Sequence, residues 1–189
     1  MPAFARDELD EMWRRWIDIN RVAQDKGDWT CLADFYTEDA TYGWMIAPDD
    51  QFMAVGREQI RDWALGTEML GFDGWTYPYV GSVIDEVQGL CVGFWRQVSA
   101  FTDPSGAPYE VAGIGGSWFA YAGDMQWAWQ RDFFDMGSVG QTIMRVIQDG
   151  NVSATLQQRF DLVAAGAPGH YTRADLPAPI WPVSTGTNA

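Results

Sequence analysis

Apolar residues recur at Leu9, Met12, Trp13, Trp16, Ile17 and Ala23, with Asn20 the polar member of the stripe. Steps of three and four residues keep these side chains on one face, so the pattern predicts an amphipathic helix over 6–23. Gly27 supplies a stop, and Asp28 is a good N-cap for a short second helix through Phe35. A turn from Thr37 then runs into a strand that places Tyr42, Trp44 and Ile46 on one face. Residues 56–66 read as a short helix with Ile60, Trp63 and Ala64 inward. After Gly74 the period falls to two, predicting strands over 75–85, 90–101, 109–121 and 125–136, the last two joined by a hairpin at Ala122-Gly123-Asp124. Helical spacing returns over 138–148 and 151–165. Beyond Gly166, prolines 168, 177, 179 and 182 accompany little periodicity.

Helices followed by antiparallel strands define an α+β domain over 1–165, with a Pro/Gly-rich extended tail over 166–189. Gly93, Gly113, Gly115 and Gly116 punctuate the strands, and glycine within strands marks bulges and tight bends. The expectation is a curved sheet of four to six strands, wrapped by the N-terminal helices into a cone-shaped α+β barrel around an interior pocket. The C-terminal helices are additions to that cone. An apolar sheet face left bare by the helices favours a homodimer.

Composition narrows the chemistry. Twelve basic residues against 26 acidic ones give a net charge of −14, which repels phosphate and argues against nucleic acid and anionic membranes as partners. No signal-like leader or apolar span is visible, so a cytoplasmic location is expected. Lys26, the only lysine, lies in a polar turn and does not suit a Schiff base. His170, the only histidine, falls in the Gly/Pro-rich tail, a poor place for the base of a catalytic triad, and one histidine cannot build a multi-histidine metal site. Cys31 and Cys91 match no metal or redox spacing. Neither cofactor nor metal is expected. Eleven tryptophans, seven tyrosines and ten phenylalanines exceed what this core needs, so some should line a pocket for a bulky apolar or aromatic molecule.

Within the strands, Arg96 is the one charge on the set Leu90, Val92, Phe94, Arg96, Val98, Ala100, and such an arginine needs a carboxylate or a ligand. Asp132, in phase with Phe134 and Met136, is the candidate partner and general base. Tyr42 is a candidate donor to developing negative charge. Trp44, Tyr77, Val98 and Phe134 are expected to contact substrate.

These residues carry a resemblance. Phe35-Tyr-Thr-Glu-Asp-Ala-Thr-Tyr42, Gly56-Arg-Glu-Gln-Ile60 and Trp129-Gln-Arg-Asp-Phe-Phe-Asp135, ahead of and within a curved sheet, are similar to the nuclear-transport-factor-like (SnoaL-like) superfamily, over about residues 7–148. The last motif resembles the ending found in limonene epoxide hydrolase. The resemblance implies that Tyr42, Arg96 and Asp132 match that family's catalytic tyrosine, arginine and one of its aspartates. Val98 stands where the second aspartate would be, and Trp44 where a water-positioning asparagine or the ketosteroid isomerase base would be. The expected activity is therefore a cofactor-independent acid–base lyase or isomerase. Formaldehyde loss from a lignin-derived aromatic, as in the diarylpropane and phenylcoumaran lyases of the superfamily, is its most specific form. Epoxide hydrolysis and non-catalytic binding are the alternatives.

Overall fold

The computed structural model describes residues 3–182. Helix α1 (Arg6–Lys26) buries Leu9, Met12, Trp16 and Ala23, each of the larger side chains contributing roughly 1.5–3 kcal/mol. It ends where expected, at Gly27, whose φ of 64° costs glycine little and lets its N–H close onto the carbonyls of Ala23 and Gln24. Asp28 Oδ1 accepts from the Thr30 N–H at 3.0 Å and leads into a 3₁₀ turn, Thr30–Phe35.

Strands β1 (Tyr36–Ala47) and β2 (Asp50–Val55) form a hairpin. Helix α2 (Arg57–Gln59) continues as a π turn over Ile60–Ala64. There follow β3 (Trp75–Thr76), β4 (Tyr79–Asp85), β5 (Leu90–Trp95), β6 (Val98–Thr102), β7 (Pro108–Glu110), β8 (Gly115–Gly123) and β9 (Gln126–Phe133). Helices α3 (Met136–Gln148) and α4 (Ala154–Ala164) and the short strand β10 (His170–Tyr171) complete the order. The main sheet has seven strands in the order β10-β2-β1-β9-β8-β5-β4, and a smaller one has the order β3-β6-β7. The α+β class and the curved sheet under α1 are as the sequence predicts. The main sheet exceeds the expected strand count, and one junction, β1 with β9, is parallel.

Three predicted strands are each two strands with a corner between them. Residues 75–85 break at Pro78, which has no N–H for a ladder; Thr76 pairs with Val98 in the small sheet while Tyr79 pairs with Trp95 in the large one. Residues 90–101 break after Trp95, and residues 109–121 break between Glu110 and Gly115. Alternation continues through a corner because both sides of it are packed, so the period alone cannot locate the change of sheet.

A bulge sets the phase of β9. Phe119 and Tyr121, two residues apart on β8, pair with Gln130 and Trp127, three apart on β9. The extra residue turns both Trp127 and Gln130 inward, where strict alternation separates them.

Asp135 caps α3, its Oδ1 accepting from the Ser138 N–H at 3.0 Å. Val146 of α3 and Leu156 of α4 pack with Phe72, Trp75 and Tyr109 into a second core beside the first. After α4 the chain returns to the main sheet: the Met53 N–H donates to the Gly169 carbonyl at 2.8 Å, and His170 and Tyr171 pair with Phe52 and Gln51. Residues 166–182 of the expected tail are thus seated on the domain, and residues 183–189 lie outside the described residues. Among the described residues no helix is long and apolar enough to cross a membrane.

Candidate active site

The inner face of the main sheet, α1, the π turn and α4 enclose a cavity of about 550 Å³, within the range of small-molecule sites. Tyr42, Trp44 and Ile46 project into it from β1, Trp95 from the end of β5, Ser117 from β8, and Gln130 and Asp132 from β9. Trp16 and Asn20 of α1 close one side, and Phe160 and Val163 of α4 close another.

Asp132 is the polar centre of this apolar wall. The Tyr42 hydroxyl donates to its Oδ2 at 2.6 Å, and the Gln130 amide donates to its Oδ1 at 2.7 Å. The Tyr36 hydroxyl donates to Gln130 Oε1, which fixes the orientation of that amide. A carboxylate offers about four acceptor sites, so the hydrogen bonds from Tyr42, Gln130 and Ser117 leave one open. Burial pushes the Asp132 carboxyl above the ordinary carboxylate range, against the hydrogen bonds from Tyr42, Gln130 and Ser117 and the charge of Arg131, which pull it down. Tyr42, enclosed beside this carboxylate, has its phenol pushed well up and stays protonated.

Four of the expected substrate contacts and site residues therefore meet the cavity in addition to Asp132: Tyr42, Trp44, Tyr77 and Phe134. Arg96 does not. It lies beyond the end of β5, its side chain 54% exposed, and pairs bidentately with Glu110 through Nε–Oε1 and Nη2–Oε2 contacts of 2.7 Å each. The expected Arg96–Asp132 pair is absent, and Val98 likewise lies outside the cavity wall. The reason is phase: on β5 the inward set is Cys91, Gly93 and Trp95, and the apolar set that contains Arg96 faces outward. Both sets are apolar, so hydrophobicity did not distinguish inside from outside. With Arg96 elsewhere and no carboxylate at 98, the arginine and second aspartate of the epoxide hydrolase pattern are both missing from the cavity wall.

The cavity also holds residues that the sequence did not single out. Gln130 and Tyr36 had a legible signal, lying in phase with Asp132 and Tyr42. Gln97, next to Arg96, is buried and donates to the Tyr77 hydroxyl at 3.1 Å. Glu68 and Arg159 come from separate segments and had no signal, whereas His170, expected in the tail as a poorly placed base, is brought to the cavity by β10.

Solved structures with the same fold include a putative SnoaL-like polyketide cyclase from Jannaschia sp. CCS1, 20% identical, with a TM-score of 0.55 over 72% of this chain and 92% of that one. An NTF2-like protein from Anabaena variabilis is 19% identical, with a TM-score of 0.53 over 71% of this chain and 95% of that one. SalBIII, an epoxide hydrolase/cyclase-like enzyme of pyran ring formation in salinomycin, is 13% identical, with a TM-score of 0.51 over 70% and 94%. The fold is thus the SnoaL-like, NTF2-like cone. No family model and no curated protein matches the sequence.

Proposed function

We propose that this chain is a cofactor-independent acid–base enzyme that isomerises or cyclises a bulky, flat, largely apolar small molecule, with Asp132 as the general base. The observation that carries the reading is the Asp132 carboxylate itself: buried, raised in pKa, held by neutral donors, and lining an aromatic cavity with an acceptor site open. Such a group can take a proton from an activated C–H or O–H at neutral pH. Tyr77 offers a donor for the charge that develops on substrate. Its oxygen accepts from Gln97, no acceptor among the described residues takes its proton, and burial keeps the phenol protonated. Tyr42 gives its proton to Asp132 in the resting site, and so acts by positioning the base. The cyclase named for one structural neighbour and the cyclase-like enzyme named for another favour this class. Retro-aldol loss of formaldehyde belongs to the same scheme, since the base would there take the proton of a hydroxymethyl group.

Deuterium exchange into 2-tetralone, a flat bicyclic ketone with an acidic C–H, tests the base directly. The protein should accelerate exchange over buffer, Asp132→Asn should return it to the buffer rate, and Tyr77→Phe should slow it about 10²-fold, as for loss of an oxyanion donor. Exchange at the buffer rate in the parent, or at the parent rate in Asp132→Asn, would refute the reading. Formaldehyde release from hydroxymethyl-bearing diaryl substrates would narrow it to the lyase.

A further inference from the structure

The polar groups of the cavity fall into two sets, and the second is unused by the scheme above. Glu68 is nearly inaccessible, its side chain 3% exposed, and Arg159 of α4 clamps it with an Nη2–Oε2 contact of 2.6 Å. Glu68 Oε1 lies 3.4 Å from His170 Nε2, and Asp50 Oδ1 lies 3.3 Å from His170 Nδ1. All four residues line the same cavity as Asp132.

Their place relative to Asp132 follows from the register. His170 pairs with Phe52, Phe52 with Trp44, and Trp44 with Asp132, so the four form one row across β10, β2, β1 and β9. Three steps between neighbouring strands separate the Cα atoms of His170 and Asp132 by roughly 14 Å along the sheet. Between them lies the Trp44 ring, stacked at 4.1 Å on Phe52, an apolar platform with a polar group at each end.

The two nitrogens of His170 are not equivalent. Nε2 faces a carboxylate that is buried and clamped, which orients the ring as the carboxylate of a carboxylate–histidine dyad does. Nδ1 faces Asp50, whose side chain is 44% exposed and can turn to water. An oxygen of a bound molecule can replace that long contact at little cost.

We propose that His170, oriented by Glu68, is a second substrate-contacting site of this cavity, so that the preferred substrates are flat apolar molecules carrying an oxygen function at each end. One oxygen-bearing end meets Asp132, the other meets His170 Nδ1, and the body lies over Trp44. The inference rests on the assignment of Asp132 as the reactive end, but its test is separate, because 2-tetralone exchange reports on Asp132 and the following measurements report on His170.

The probes are 2-naphthol and 2,6-dihydroxynaphthalene, which share a flat body and differ by the second hydroxyl. In the parent protein the diol should bind about tenfold more tightly, the equivalent of one hydrogen bond. In His170→Gln that advantage should fall to within about twofold. Glu68→Gln should lower the ratio by an intermediate factor. A second measurement needs no variant: His170 is the only histidine in the chain, so its ring Hε1 resonance is unambiguous and should shift on saturation with the diol. A ratio near one in the parent, a ratio unchanged in His170→Gln, or an unmoved Hε1 signal at saturation would each overturn the proposal.

Discussion

The most informative residue is Asp132, because its environment makes a prediction about stability opposite to that for activity. Its carboxyl is raised above the unfolded value of about 3.9. Between those two pKa values the folded chain holds a proton that the unfolded chain has released. Stability therefore falls as pH rises through that window, and the cost persists at neutral pH. Asp132→Asn should melt a few degrees above the parent at neutral pH, with the gap closing towards about pH 4 as Asp132 becomes protonated. Thermal melts at the two pH values check the sign. Arg96 predicts the reverse of what a buried pair would show. It and Glu110 are well exposed to solvent, so Arg96→Ala should cost no more than about 1 kcal/mol, less in high salt, and should leave 2-tetralone exchange at the parent rate.

At the scale of the element, glycines separate wall from surface. Gly115 on β8 pairs with Trp95 on β5, and a Cβ there would lie 2.2 Å from the indole ring. Trp95 lines the cavity, so a shift of its ring to make room alters the wall. Gly115→Ala should destabilise by about 1–3 kcal/mol and weaken naphthol binding. Gly140 on α3 is a contrast, with open space around its would-be Cβ. Gly140→Ala should stabilise by up to about 1 kcal/mol through helix propensity alone. Urea unfolding of the pair measures both. The bulge in β9 acts at the same scale: by adding one residue it lets Trp127 fill the core while Gln130 and Asp132 still face the cavity.

For the whole molecule, the C-terminal return of the chain is what joins the parts. His170 ties β10 to Asp50 on β2 and to Glu68, and these carboxylates raise its pKa above the usual histidine value despite partial burial. A raised folded pKa means that this contribution is complete below about 6.5, the unfolded value, and is lost as pH rises through the folded one. Parent stability should therefore decline over that range, and His170→Gln should flatten the decline; unfolding titrations on either side of the range decide it. The outer face of the sheet makes a separate prediction. Val83 and Phe133 are 60% and 41% exposed, and a second copy covering them would follow the sequence expectation. Sedimentation should then give a dimer of the 21.2 kDa chain, and Val83→Asp should shift it to monomer.

The sequence by itself determined what depends on local period and local chemistry. The start and inner face of α1, its stop at Gly27 and the inward set Tyr42, Trp44 and Ile46 were legible, because a helix or strand records its buried face in its own spacing. Asp132 was legible too, as a carboxylate in phase with apolar neighbours. Tertiary structure alone decided which face of β5 points inward, since both of its sets are apolar, and so placed Arg96 with Glu110 outside the cavity. It alone also brought Glu68, Arg159 and His170 together. Their contacts span 91 and 102 residues of chain, and nothing in the spacing of one segment specifies the neighbour that a distant segment supplies when the sheet closes.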